Sequence, residues 1–308
     1  SKTSYGGVFL SYIMEKANVL KVGNQVSNVS IIVKNDKFSW IKEEAPETKN
    51  LIKMDLSHYI LTPGHVMLDF INVDMDFQTY KTYVKENFLQ KGCTGIVAVF
   101  PITNEIDFLP QLKRARTKLL NSPVDYYFAI EVSLSKLTPS LVRLCKKHKI
   151  PAIFVKIEDA SKVETLAWGW IKDALYQFPI TFVPIFPDEK KQKRYIQKVW
   201  TETMKEAKLV HLPHCPPTSF PLKLDVLMKF GIYPSKGDIR IGGEVSYNLY
   251  ICPEGSIIET ASDLDYHIHS PEITVHRGKI VKVGQDVYFR PGFGNECKVT
   301  VPGHFHLE

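Results

Sequence analysis

Paired histidines are the first residues in this chain whose spacing could do chemistry. His267-Ile-His269 and His304-Phe-His306 share a His-x-His spacing. On a strand, that spacing turns both imidazoles to one face and offers a cation two neutral nitrogens. The first pair follows Asp263 and Asp265, which add carboxylate oxygens. Cys215 stands next to His214, and an imidazole beside a thiol can draw it towards the thiolate. Other chemistries lack their loops. The chain has no GxGxxG or GxxxxGK(S/T) phosphate cradle and no GxSxG nucleophile turn. Its five cysteines are scattered without a CxxC pair, which suggests neither a disulfide framework nor a zinc ribbon and fits a reducing cytoplasmic setting.

The elements that must position such residues fall into three stretches. Residues 8–60 alternate in a β manner: Ser30–Val33 and Phe38–Ile41 flank a turn at Lys34-Asn-Asp-Lys37, and a polar loop at 43–50 precedes another β stretch. From residue 66 to about 230, apolar runs alternate with amphipathic helical segments. The runs are Val66–Ile71, Gly95–Phe100, Tyr126–Val132, Ala152–Ile157, Ile180–Ile185 and Leu209–Leu212. Helices are expected near 76–91, 104–121, 138–149, 160–177 and 188–206, and a last one near 220–230. Fully apolar strands alternating with helices argue for a parallel sheet covered on both faces. Thr138-Pro139 is a good helix start, and Gly92 a good helix stop. From Gly237 the chain is β again, in runs at Asp238–Ile241, Tyr247–Cys252, Glu272–His276, Lys279–Val283 and Asp286–Phe289, with a tight turn at Arg277-Gly278. The two terminal pieces are each too small to hold a core, so they are expected to pair into one β-sandwich. The resulting partition is 1–61 with 236–308 as a composite β-sandwich domain, and 62–235 as the α/β domain.

Composition narrows the partners. Lys and Arg exceed Asp and Glu by 39 − 33 = +6, a mild and dispersed excess. Its densest run, Lys190-Lys-Gln-Lys-Arg194, lies on an expected helix and reads as a solvated face, so nucleic acid is not expected. No apolar run reaches the ~18 residues that span a bilayer, and no membrane is expected.

Four segments carry a family likeness: Ala17–Leu20 with Val29–Lys37, Pro63-Gly64 with the residues after it, Val124–Phe128 with Leu141–Lys156, and Phe230-Gly-Ile-Tyr-Pro-Ser-Lys-Gly-Asp-Ile-Arg-Ile-Gly-Gly243. Together they resemble the cyclic amidohydrolases, in their dihydropyrimidinase, hydantoinase and dihydroorotase branch. The first is similar to the opening hairpin of that family. The second resembles its first barrel strand, "hydrophobic-x-Pro-Gly-x-Ile-Asp-x-His-x-His". The third is similar to its third strand, helix and fourth strand, and the fourth to its passage from the last barrel helix into the β domain. The implied fold is a TIM-type (β/α) barrel beside a small β-sandwich. The last helix follows soon after strand six, leaving no room for a seventh and an eighth βα unit, so the barrel is expected to be incomplete, with about six units.

The resemblance implies a two-metal site, but few of its ligands are present. The strand-one His positions fall on Asp69 and Ile71, and the Asp of the pattern falls on Met67. Strand four keeps Lys156, expected either carboxylated or, preferably, ion-paired with Glu131 or Asp69. Strand five, ending Val183–Pro187, has no His, strand six keeps His211, and the strand-eight Asp has no counterpart. The resemblance thus implies a catalytically lapsed relative that binds or assembles, with no cofactor. The alternative is a hydrolase of a cyclic amide or N-acyl C–N bond with one zinc on Asp69, Lys156 and His211, and Asp69 or Glu131 as general base. Asn72, Lys156, Glu158 and His211 are the expected lining of a pocket for a small polar ligand. An incomplete barrel exposes two strand edges. Another subunit or the β termini are therefore expected to cover them, in a homo-oligomer (dimer or tetramer) or a complex with an active paralogue.

Overall fold

The computed structural model describes residues 11–20, 26–47, 50–252 and 264–302. They form two compact units. One gathers the described residues of Ser1–His65, Val84–Thr94 and Ser235–Tyr288, and the other those of Val66–Tyr83, Gly95–Pro234 and Phe289–Glu308.

The first unit is built on strands β1 (Tyr12–Leu20), β2 (Val26–Lys34), β3 (Lys37–Lys42), β4 (Ile52–Asp55) and β5 (Tyr59–Pro63). The turn between β2 and β3 places Asn35 and Asp36 in the left-handed region, as the Lys34–Lys37 turn signal predicts. The later strands β11 (Tyr247–Ile251), β12 (Ile273–His276), β13 (Lys279–Val283) and β14 (Asp286–Val287) join this set through an antiparallel β5–β11 pair. Hydrogen bonding makes one nine-stranded sheet, in the order β14-β13-β12-β11-β5-β1-β2-β3 with β4 beside β1, where two sheets of a sandwich were expected. The expected strand at Asp238–Ile241 does not form. Met14, Ile31, Phe38, Leu61, Tyr247 and Val275 belong to the buried core of this unit.

Pro63-Gly64 has a packing reason in this unit. A Cβ on Gly64 would lie 2.3 Å from Oγ1 and 2.6 Å from Cγ2 of the fully buried Thr94. Gly64→Ala is therefore expected to lower stability by about 2 kcal/mol through overpacking. Combining it with Thr94→Ala should recover most of that loss in a urea double-mutant cycle. Additive losses would show that the contact is not the cause.

The second unit holds the strand–helix alternation. Its strands are β6 (His65–Phe70), β7 (Cys93–Pro101), β8 (Asp125–Ser133), β9 (Ala152–Lys156) and β10 (Thr181–Ile185). They form a five-stranded sheet in chain order, and its β7–β8, β8–β9 and β9–β10 pairs are parallel. Between and after them run α1 (Phe77–Asn87), α2 (Phe108–Leu119), α3 (Pro139–Lys147), α4 (Ala160–Thr165), α5 (Trp168–Ala174), α6 (Lys190–Glu206) and α7 (Leu224–Lys229). Thr138 caps α3 by accepting from Leu141 N, with Pro139 opening the helix. The helix expected over 160–177 breaks at Leu166-Ala167. There the Trp168 indole N–H turns back to Val163 O and its ring packs on Phe182 and Trp200.

The sixth strand is reduced to one bridge. Around His211, Phe182 N donates to Val210 O and Leu212 N to Phe182 O, both at 2.9 Å. The chain then crosses to the opposite edge of the sheet, where Ser219 N reaches Leu68 O at 3.1 Å and Leu222 N reaches Val66 O at 2.8 Å. Residues 209–222 thus form a strap that touches both edge strands, β10 and β6. The chain itself occupies edges that a second subunit or the β termini were expected to cover. The Trp200 indole N–H, donating to Leu212 O at 3.0 Å, ties the strap to α6. Residues 295–297 return to β8 through Tyr126, and Arg116 grips Glu296 with two hydrogen bonds of 2.8 and 2.9 Å.

Candidate active site at the strand ends

Side chains alternate along a strand, so the core phase of each strand fixes what its C-terminal end presents. β6 turns Val66, Leu68 and Phe70 to the core. β8 turns Tyr127 and Ala129 there, which carries Glu131 to the same side, and β9 does likewise with Ala152, Phe154 and then Lys156. Glu131 and Lys156 are brought together as an ion pair, with side-chain exposures of 13% and 53%. Of the two expected partners for Lys156, the structure therefore gives it Glu131. Beside them Phe70 packs edge-on against Phe154, with ring centroids 5.4 Å apart. Cys215 of the strap packs on the same core, and burial together with the Glu131 charge pushes its thiol up to about 12. That shift disfavours the thiolate, against the reactive-thiolate reading.

Asp69 and His211 lie in the opposite phase. Asp69 is 2% exposed and accepts from the Tyr83 hydroxyl of α1 at 2.7 Å. Burial pushes its carboxyl up to about 6, against the lowering effect of the Tyr83 bond. Tyr83 also meets the Ser219 side chain, so this carboxylate is linked to the strap. His211 shares its Nδ1 with Leu209 O at 2.9 Å, and burial lowers its pKa below the ordinary imidazole value. Asn72 is exposed, its Oδ1 accepting from Asp74 N, and Glu158 is exposed on the loop after β9. The structure thus unites Glu131 and Lys156 of the sequence candidates and holds Asp69 and His211 by other contacts.

The donor chemistry does not fit a metal cage here. Asp69, Glu131 and His211 belong to no group of three His, Cys, Asp or Glu ligand atoms within 4.8 Å of one another among the described residues. Lys156 is paired with Glu131, Asp69 is held by Tyr83, and Ile71, at the second strand-one ligand position of the resemblance, has no donor atom. His267 and His269 lie at a turn instead of on a strand. Asp265 Oδ1 accepts from His267 N at 2.8 Å, and Asp265 N donates to His269 Nδ1 at 3.1 Å. His304 and His306 lie outside the described residues.

Sequential parallel strands, a separate sheet built from both ends of the chain and polar groups at the C-terminal strand ends together decide the comparison. The fold is hydantoinase-like. A D-hydantoinase structure aligns with a TM-score of 0.65 at 11% identity, covering 94% of this chain and 99% of that one. The dihydropyrimidinase from Brevibacillus agri NCHU1002 aligns at 0.57 and 12%, covering 95% and 99%. The D-hydantoinase from Bacillus sp. AR9 aligns at 0.67 and 10%, covering 94% and 99%. No family model and no curated protein matches the sequence. The likeness is one of fold, and fold alone does not carry chemistry.

Two residues important to this region are not among the sequence candidates. Phe70 escapes notice because the alternate phase, Met67, Asp69 and Ile71, is nearly as apolar. Its signal is that Val66, Leu68 and Phe70 form the phase without any polar residue. Tyr83 carries no signal, since its pairing with Asp69 depends on how α1 lies along the sheet.

Proposed function

We propose that this chain is an amidohydrolase-fold protein that has lost metal-dependent hydrolysis and works by binding or assembly. The observation that carries this reading is the phase of β6: Val66, Leu68 and Phe70 fill the core, while Asp69, at a ligand position of the resemblance, lies in the opposite phase and is held by Tyr83. The Glu131–Lys156 pair supports it further, because it gives the strand-end lysine a carboxylate partner from within the chain. In this reading the pair, with a donor and an acceptor side by side, serves a small polar ligand at the strand ends. Because the strap occupies the sheet edges, the proposed assembly, a homo-oligomer or a complex with an active paralogue in the cytoplasm, would form on other surfaces.

Metal analysis of the purified protein tests the proposal. The expected result is zinc well below one ion per chain, with no zinc-dependent turnover of hydantoin or dihydrouracil. One zinc per chain that disappears in Lys156→Ala would overturn it. The single-zinc hydrolase on Asp69, Lys156 and His211 would then take its place. Light scattering tests the assembly. A dimer, a tetramer or a stable mixed complex is expected, and a monomer that captures no paralogue would remove that part of the proposal.

A further inference from the structure

A recess lies on the outer, helical side of the α/β unit. It has a volume of about 450 Å³ and is lined by nine residues. That size falls within the roughly 300–1,000 Å³ typical of small-molecule sites. Its two walls differ in chemistry. Val73, Met75, Phe77 and Tyr80, from the loop after β6 and from α1, form an apolar wall. Phe289 backs that wall, meeting Phe77 and Tyr80 edge-on with ring centroids 6.1 and 6.4 Å apart. The other wall is one face of α2 and its end: Lys113, Arg114, Thr117, Lys118 and Asn121. These positions recur at helical spacing, while Leu112, Ala115 and Leu119 on the other face are buried.

The charges at this recess do not cancel. Arg114 Nη2 donates to Asp74 Oδ1 at 2.6 Å. Lys118 donates to Met75 O and lies 5.1 Å from the Tyr80 ring centroid, with Asp74 and Asp76 acting on it electrostatically. Asp76 is engaged in capping α1, accepting from Gln78 N and Thr79 N at 2.9 and 3.0 Å. Lys113 takes part in no ion pair among the described residues. Three cations against two carboxylates leave 3 − 2 = +1, located at Lys113 beside an aromatic wall. A surplus of one charge suits a monoanion, and the apolar wall suits a ring.

We propose that this recess binds a small aromatic carboxylate, its anion at Lys113 and Arg114 and its ring against Met75, Phe77 and Tyr80. The site is separate from the Glu131–Lys156 pair and does not depend on the function proposed for that pair. The probe is 2-naphthoate, compared by calorimetry on the full chain with the neutral 2-naphthalenemethanol. The acid is expected to bind with a Kd on the order of 1 mM or below, at least about tenfold tighter than the alcohol. Lys113→Met should weaken the acid about tenfold and leave the alcohol unchanged. Thr117→Trp, an exposed position whose new ring fills the recess, should abolish binding of both. Lys156→Ala should leave both unchanged. Equal binding of acid and alcohol, or no binding of the acid below about 10 mM, would overturn the proposal. So would binding that survives Thr117→Trp, and loss on Lys156→Ala would place the ligand at the strand ends instead.

Discussion

Asn248→Ala is expected to destabilise the β unit by about 3 kcal/mol. Asn248 is fully buried in β11, between β5 and β12. Its Nδ2 donates to Gly92 O at 2.9 Å and, at a longer 3.4 Å, to Pro63 O. Its Oδ1 accepts from the Thr274 hydroxyl at 2.7 Å. One side chain thus joins the Pro63-Gly64 passage, the turn at Gly92 and strand β12. Truncation strands the Thr274 hydroxyl, removes one of the two donors that meet Gly92 O, and leaves a cavity. Gly92 itself, at φ 78°, has no room for a Cβ, which would fall 2.5 Å from Asn248 Oδ1. The measurement is urea unfolding of Asn248→Ala against the parent and against Asn248→Ala/Thr274→Val. Replacing the stranded hydroxyl by a methyl should return about 1 kcal/mol. A single-variant loss below about 0.5 kcal/mol would mean that the network carries little of the stability.

The order of strands and helices was legible in the sequence because short, fully apolar runs alternate with amphipathic segments, with a helix start at Thr138-Pro139 and a stop at Gly92. The Lys34–Lys37 and Arg277-Gly278 turns were legible for a similar reason: two successive residues adopt positive φ where the sequence offers Asn-Asp or ends in Gly. The strap was not. Pro213, Pro216, Pro217 and Pro221 interrupt any period over 213–222, and a few backbone bonds, two to Phe182 and one each to Leu68 and Val66, fix its course. Such bonds leave no pattern of side chains. The same gap explains the candidate site. Type and rough position of Asp69, Glu131, Lys156 and His211 could be read, yet which phase of β6 faces inward depends on α1 on one side of the strand and the core on the other. That Lys156 takes a carboxylate partner could be read in advance, because a lysine at a strand end demands one, but the choice of Glu131 over Asp69 follows from the strand phases.

The phase of Asp69 leads to the second large effect, a stability that depends on pH through one carboxyl. Its folded pKa, about 6, lies above the ordinary carboxylate value of 3.8 because burial disfavours the charge. The folded chain therefore holds this proton more tightly than the unfolded chain does. Below about pH 4 both forms are protonated and Asp69 costs nothing. Between about pH 4 and 6 the unfolded chain binds fewer protons than the folded one, so stability falls as pH rises. Above that window the full cost of a buried carboxylate remains, about 3 kcal/mol for a pKa raised this far. Asp69→Asn keeps an oxygen for the Tyr83 hydroxyl and cannot ionise. It is expected to match the parent near pH 4 and to exceed it by up to about 3 kcal/mol at about pH 8. Tyr83→Phe removes the one contact that favours the carboxylate, so the falling limb should shift to higher pH and deepen. Urea midpoints for the three proteins across about pH 4–8 decide the matter. A difference between Asp69→Asn and the parent that is flat across that range would show that the carboxyl is not held protonated. Because Tyr83 also meets Ser219, a real pH dependence would be a property of the link between β6, α1 and the strap that closes the sheet edges.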